Sequence, residues 1–386
     1  MIMKKILFVI NSMGVGGAEK CLAELLKVIP KDEYEVHLGL LNIKGAFLDI
    51  IPQGVFIHEL PKPQKSKVIL LHLIKTFHWT DAISFLLIWI YAKVSHDVYQ
   101  NCRYRYWNAS LSEINYDLAI SYVGRPEECV FYLYEKVKAK SKCLWIHDDV
   151  SILEIRDCYK MVERLYKCLD KIFIVSEDGK RRFDSVYPQM KDKTDVFYNI
   201  IPVDNIVQMA DDGDSFSDDY KGKRLLTVGR INPQKGYLFA IDTLKFLLDK
   251  GYNVKWYIIG GDIGNTYYKE CMDLAAQKGV SDHVIFLGIQ TNPYRYMRDC
   301  DVYVQPSLFE AYCTTIMEAL CFGNPIVATC FCSVHEQLKG RENGYMTEMT
   351  VESLADGIEK ALNDKKISVQ PAKRTEDIEK LYRLIS

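Results

Sequence analysis

The feature that most constrains this chain is an alternation, stated twice, of short apolar runs with helix-length segments. Residues 4–10, 34–41, 55–60, 117–122, 142–146, 171–175 and 194–198 read as buried strands. Between the first two, Ala18, Cys21, Leu22, Leu25 and Leu26 recur at helical spacing. Such alternation predicts a parallel sheet covered by helices, because parallel strands need a crossover between them. Residues 211–219 are acidic and rich in small side chains, as a solvated connection should be. Beyond them the pattern restarts, with strands at 224–228, 254–259, 284–287, 302–304 and 325–328. Helices are expected at 235–250, 267–278, 294–298 and 314–322. At 386 residues the chain exceeds what one core usually organises. The expectation is an α/β chain of two Rossmann-like domains facing a cleft, with ligands at the strand C-termini.

Composition excludes more than it selects. A formal net charge of -2 offers no global case for a nucleic-acid binder. The 12 cysteines show no CxxC spacing and no nearby His pair, which argues against zinc and redox dithiols. They read as free thiols in a reducing, cytoplasmic setting. The apolar run 6–10 is too short for a secretory h-region and reads as an internal strand.

Two constellations carry chemistry. The first runs from the strand at 302–304 through Gln305, Pro306, Ser307, Glu310, Ala311, Tyr312, Cys313, Thr314 and Thr315 to Glu318. Two glutamates eight positions apart straddle a loop that becomes a helix, where unpaired backbone N–H groups suit a phosphate. Carboxylates also accept sugar or ribose hydroxyls well. A capping acid and a solvated helix carboxylate would satisfy the same spacing. The second is Gly229-Arg230 followed by Lys235-Gly236. Two fixed cations at a strand C-terminus can neutralise a diphosphate leaving group, although two solvated loop cations are the commoner meaning of such a pair.

Together these stretches resemble the retaining GT-B glycosyltransferases of family 4, the bacterial capsular and surface polysaccharide type. The glycine-rich Gly14-Val15-Gly16-Gly17-Ala18-Glu19 is similar to that family's first loop. So are Trp145-Ile146-His147-Asp148, Tyr198-Asn199-Ile200-Ile201-Pro202 and Ile259-Gly260-Gly261-Asp262. The resemblance spans most of the chain and is weakest between about 62 and 105. It implies an N-terminal acceptor domain over 1–205, a nucleotide-sugar domain over 206–370, and a C-terminal helix over 371–386 that returns to the N-terminal domain.

The resemblance also implies roles. Arg230 and Lys235 would grip the donor diphosphate, Glu318 the ribose, and Glu310 the donor sugar. Backbone at Thr314 and Thr315 would touch sugar or phosphate, with Gly229, Gly260, Tyr312 and Cys313 lining the donor pocket. Gly288 and Ile289 would flank the base, and Gly16 and Gly17 would let backbone approach the phosphates. His147 would contact a hydroxyl of the reacting sugar. His147, Glu310, Arg230 and Lys235 thus form the implied catalytic set, with no cofactor and no metal. Ala311-Tyr312-Cys313 departs from the family's usual small residues and bears on sugar identity.

Two other motifs lead elsewhere. Asp212-Gly213-Asp214 spells DxD, but it lies in the acidic connection without a flanking strand. Gly14 to Glu19 approaches GxGxxG, but Glu19 replaces the last glycine.

Residues 61–107 stand apart, with seven basic and two acidic side chains beside Phe77, Trp79 and the run 83–91. That run is too short to cross a bilayer. It suits either a helix lying on an anionic membrane surface or a buried helix pair with basic flanks. The expectation is a metal-independent retaining hexosyltransferase moving a sugar, from a UDP-sugar in particular, to a lipid-linked or glycan acceptor at the inner membrane face. A nucleotide-sugar epimerase and a non-catalytic partner subunit are the alternatives.

Overall fold

The computed structural model describes residues 3–62, 66–91, 111, 113–123, 128–152, 163–261, 263–367 and 377–385. The chain divides into two compact units. Unit 1 holds Met1–Val175, Lys180–Asn199 and Thr375–Ser386, and unit 2 holds Ser176–Gly179 and Ile200–Arg374.

Unit 1 is built on seven parallel strands: β1 (Lys4–Ile10), β2 (Tyr34–Leu40), β3 (Val55–Glu59), β4 (Asn115–Ser121), β5 (Lys138–Ile146), β6 (Lys171–Ile174) and β7 (Thr194–Val196). Their order is β3-β2-β1-β4-β5-β6-β7, so the direction of winding reverses between β1 and β4. Helix α1 (Gly17–Val28) follows β1 and buries Cys21, Leu22, Leu25 and Leu26. Helices α2 (Ser66–Lys75) and α3 (Trp79–Tyr91) follow β3, and α4 (Glu128–Lys136) follows β4. The main core joins Leu7, Val9, Ala119, Leu144 and Ile172 of the sheet to Val130, Phe131 and Leu133 of α4.

Unit 2 repeats the plan with β8 (Lys223–Val228), β9 (Val254–Ile259), β10 (Val284–Gly288), β11 (Val302–Gln305), β12 (Ile326–Thr329) and β13 (Gly344–Thr347). The order β10-β9-β8-β11-β12-β13 reverses between β8 and β11. Helix α5 (Tyr237–Asp249) packs Ala240, Ile241, Leu244 and Leu247 into a core shared with Trp256, Val302 and Val327. Helices α6 (Thr314–Ala319), α7 (Val334–Leu338) and α8 (Val351–Leu362) follow in turn. In unit 1, α9 (Ile378–Ile385) ends the described chain. Its Tyr382 stacks on Tyr34 with ring centroids 4.9 Å apart, and Ile385 accepts a 2.8 Å hydrogen bond from Lys4.

Several boundaries differ from the sequence reading. The expected helix over 235–250 is a 3-10 turn at Pro233–Lys235, then a left-handed Gly236, then α5. The helix expected over 314–322 splits into the six-residue α6 and a 3-10 turn at Leu320–Phe322. Strand β13 was not anticipated, because four residues without a clear alternation carry little periodic signal. The acidic stretch at 211–219 is not simply solvated. Phe216 packs edge-on against Tyr257 and Tyr296, and Asp218 pairs with Arg224 at 2.8 Å. The long segment of unit 2 starts at Ile200, and Ser176–Gly179 joins it. Among the described residues no helix is long and apolar enough to cross a membrane, and no group of His, Cys, Asp and Glu could hold a metal.

Gly236 is required twice over. Its φ of +68° is left-handed, and an added Cβ would lie 2.1 Å from the Pro306 carbonyl oxygen. Gly279 has the same φ but open space around it. Gly236→Ala should therefore destabilise unit 2 by more than the roughly 1–2 kcal/mol that left-handed backbone alone costs, and Gly279→Ala by about that amount. Thermal unfolding of both variants checks the difference.

Candidate active site

The reversal between β8 and β11 separates the loops that leave two neighbouring strands at their C-terminal ends, which opens a crevice there. The loop after β8 carries Gly229, Arg230 and Lys235, and the loop after β11 carries Glu310. They are held together by backbone, because the Leu308 N–H donates to the Gln234 carbonyl at 2.8 Å. Gln234 also donates through Nε2 to the Phe309 carbonyl at 2.9 Å.

This brings Lys235 and Glu310 into a buried ion pair. Nζ lies 2.5 Å from Oε1, with side chains only 12% and 10% exposed. Burial alone would lower the Lys235 pKa, but the Glu310 carboxylate outweighs it and holds the ammonium above its ordinary value. A buried pair of this kind is destabilised strongly when one partner is removed, because the other is left as an uncompensated charge. Arg230 is exposed at the mouth of the same loop and acts electrostatically on Lys235.

The carboxylate is anchored from behind by groups that the spacing argument did not single out. Ser307 Oγ donates to Glu310 Oε1 at 2.9 Å, and Gln305 Nε2 donates to Ser307 Oγ at 2.8 Å. Gln305 Oε1 in turn accepts from Tyr303 at 2.9 Å and Thr315 at 3.2 Å. Gln305 and Ser307 are fully buried. Two polar residues ending an apolar strand were the only sequence signal. The loop backbone is clamped as well: Gln337 of α7 donates to the Cys313 carbonyl at 2.8 Å, and Ser176 donates to the Ala311 carbonyl at 3.2 Å. Neither residue is near in sequence, so neither was legible there.

Cys313 precedes α6, and its Sγ lies 3.3 Å from Thr315 Oγ1. Burial first, and then the neighbouring Glu310 charge, push its thiol pKa up to about 12. It is therefore a neutral buried thiol rather than a nucleophile. Thr314 is half-buried, while Tyr312 and Glu318 are buried. Both glutamates thus leave solvent, which a merely capping or solvated acid does not need to do.

Gly229 and Gly260 continue the sheet ladder past β8 and β9, and Gly288 ends β10. Gly229 N–H donates to the Ile259 carbonyl and Gly260 N–H to the Gly288 carbonyl, each at 2.9 Å. A Cβ on Gly260 would sit 1.9 Å from the Gly229 oxygen, so only glycine allows the approach. Beside them Ile289 is 63% exposed, an apolar side chain left uncovered at the strand ends. Asp262 lies outside the described residues.

Unit 1 presents its own candidates. Gly16 is the extended residue before α1, and Gly17 opens that helix. His147 follows β5, its ring 4.7 Å from that of Tyr122. Its Nε2 is buried with no hydrogen-bond partner among the described residues. Burial lowers its pKa to about 4, against a smaller opposing effect of Asp148, so the imidazole is neutral at physiological pH. A half-buried neutral imidazole whose Nε2 has no partner among the described residues suits a hydroxyl partner.

Comparison with known proteins places this geometry. Residues 214–378 match the family model described as glycosyl transferases group 1. The chain is 24% identical over 375 residues to a Campylobacter jejuni protein, N-acetylgalactosamine-N,N'-diacetylbacillosaminyl-diphospho-undecaprenol 4-alpha-N-acetylgalactosaminyltransferase, covering 95% of this chain and 92% of that one. It is 27% identical over 171 residues to an uncharacterized glycosyltransferase of Methanocaldococcus jannaschii, covering 42% of this chain and 40% of the relative. It is 26% identical over 141 residues to the Staphylococcus aureus capsular polysaccharide biosynthesis glycosyltransferase CapM, covering 36% and 37%. These last two matches thus span less than half the relative's length. The solved structure of Anabaena HepE in complex with UDP and glucose superposes with a TM-score of 0.65 at 18% identity, covering 94% of this chain and 90% of that one. Residues 214–378 thus form a group 1 glycosyltransferase domain, the two parallel-sheet α/β units have the GT-B fold, and the chain is a transferase enzyme.

Proposed function

We propose that this transferase moves a hexosyl group from a UDP-sugar to a lipid-linked or glycan acceptor in cell-surface or capsular polysaccharide assembly, with retention of anomeric configuration and without a metal. The observation that carries the reading is the buried Lys235–Glu310 pair at the β8/β11 switch point. It places a permanent cation and a hydroxyl-accepting carboxylate within one side chain's reach. The Campylobacter relative's printed name, with its diphospho-undecaprenol acceptor, supports the lipid-linked class. The UDP held by HepE supports the base.

The chemistry follows from charge. The bond between the anomeric carbon and the leaving diphosphate oxygen breaks, and negative charge grows on the diphosphate. Lys235 and Arg230 neutralise that charge. Glu310 accepts hydroxyl hydrogens of the sugar and Glu318 those of the ribose, while backbone at Thr314 and Thr315 lies beside sugar and phosphate. Cys313 and Tyr312 shape the sugar pocket, and Ile289 packs on the base. No carboxylate is read as a covalent nucleophile. The acceptor hydroxyl therefore attacks on the face from which the diphosphate leaves, and its proton passes to the leaving oxygen. His147, neutral and with its Nε2 unpartnered among the described residues, holds a sugar hydroxyl. The membrane contact expected of 61–107 would place a lipid-linked acceptor at the inner face of the cell membrane.

The reading is tested first by the charge pair. Glu310→Gln keeps a side-chain oxygen for Ser307 and the Lys235 ammonium but removes the compensating charge, so it should lower turnover on the order of 10²-fold and also cost some stability. Glu310→Ala removes the oxygen as well and should lower stability further, by about 3 kcal/mol. Near-wild-type turnover in the Gln variant would remove Glu310 from the site. Slow UDP-sugar hydrolysis should persist in EDTA. Interconversion of donor sugars without hydrolysis would point to an epimerase, and neither reaction to a binding subunit. The His147 ring makes a separate prediction. Its pKa is depressed in the folded state, so stability is full above the ordinary 6.5 and falls as pH drops toward about 4. His147→Asn should flatten the fall in melting temperature between about pH 7 and pH 5; an unchanged slope would show that His147 does not contribute.

A further inference from the structure

The α2–α3 hairpin of unit 1 has two apolar faces where one would suffice. Its inner face is a small core of Ile69, Leu73, Ala82 and Phe85, separate from the main core of the unit. Its outer faces carry Val68 and Leu71 on α2 and Trp79, Ile83 and Leu87 on α3, each between 48% and 61% exposed. A helix pair that merely covers a sheet puts polar residues on the outside. Here the outside is a second apolar stripe.

The turn between the helices adds an independent observation. Phe77 has a φ of +59° and is 79% exposed. The His78 N–H donates to the Leu73 carbonyl at 2.9 Å and the Phe77 N–H to the Ile74 carbonyl at 3.2 Å. This is the left-handed helix-ending motif whose critical position is normally glycine. Phenylalanine there costs backbone energy, and its ring gains no burial in return. Strain kept at an exposed position points to a use for the side chain. Trp79 sits beside it, with ring centroids 6.4 Å apart.

We propose that this hairpin is a wedge that seats unit 1 in an anionic lipid surface, Phe77 and Trp79 entering the acyl boundary. Charge selects lipid over other occupants. Among the described residues Lys62, Lys67 and Lys75 are exposed at and before α2 against Asp81 on α3, a net positive face. Basic residues interleaved with Trp, Phe and Leu match a headgroup layer, and a fluid bilayer can envelop a projecting ring without a shaped pocket. The helices have 10 and 13 residues, hence lengths of about 15 and 20 Å, too short to span about 30 Å of hydrocarbon. They enter one leaflet only. The inference deepens the proposal of a lipid-linked acceptor and rests on it for its use, but not for its physics.

The test uses the full chain with phosphatidylcholine vesicles, with and without phosphatidylglycerol, and no donor or acceptor. Co-sedimentation should be strong only with the anionic lipid. Phe77→Gly relieves the backbone while removing the ring. It should weaken partitioning on the order of tenfold, with melting temperature and UDP-sugar hydrolysis in vesicle-free solution unchanged or higher. A Lys67→Glu, Lys75→Glu double variant should lose the preference for anionic vesicles. Failure of the wild type to bind either vesicle overturns the proposal, as does unchanged binding by Phe77→Gly. A lipid-free dimer that Phe77→Gly dissociates would assign the face to a second copy instead. None of these outcomes depends on turnover, so the docking and transfer readings fail separately.

Discussion

Parallel pairing is the constraint from which the rest of this structure follows. A parallel strand must be reached by a crossover, so every loop that leaves a strand C-terminus emerges at the same edge of its sheet. Where the order of strands reverses, two such loops diverge and leave a crevice between them. In unit 2 this happens between β8 and β11, and the two loops released there carry Lys235 and Glu310. Neither charge could be buried alone. Each is tolerated because the other stands within hydrogen-bonding reach, and because Ser307 and Gln234 occupy lone pairs that the ammonium does not use.

The support around that pair shows how a buried carboxylate is kept in one orientation. Tyr303, Gln305, Ser307 and Thr315 form a buried chain of hydrogen bonds ending on Glu310. Buried polar chains of this kind are worthwhile only when each member is satisfied, since an orphaned member costs more than the bond it would have made. Gly236 serves the same end sterically by letting the Lys235 turn lie against the Pro306 carbonyl. The energetic outlay is concentrated where the substrate's charges and hydroxyls would arrive. The hairpin of unit 1 is the other place where local preference is overruled, with Phe77 held in a backbone conformation it disfavours.

Much of this was legible from residue order. Strand and helix alternation specified both sheets because period-two and buried runs of five residues admit few other packings. The Glu310–Glu318 spacing and the Arg230–Lys235 loop singled out charged side chains at the strand ends, and of these the fold pairs Lys235 with Glu310. The boundaries were less legible. The six-residue α6 and the break at Gly236 depend on loops from two strands meeting, and no single segment encodes that meeting. Strand β13 exists because β12 offers an unpaired edge, which no four-residue window can report.

What the sequence by itself determined is therefore the fold class, the doubling of the sheet, and the set of charged and polar groups at the strand ends. Those rest on local periodicity and on side-chain chemistry, both readable residue by residue. What only the tertiary structure decided is which groups touch. Gln337 and Ser176 reach the Ala311–Cys313 backbone from distant segments, His147 Nε2 has no partner among the described residues, and α2 and α3 keep an apolar face outward. Contacts between residues far apart in the chain are set by how whole elements pack, and a linear pattern holds no record of that packing until the chain has folded.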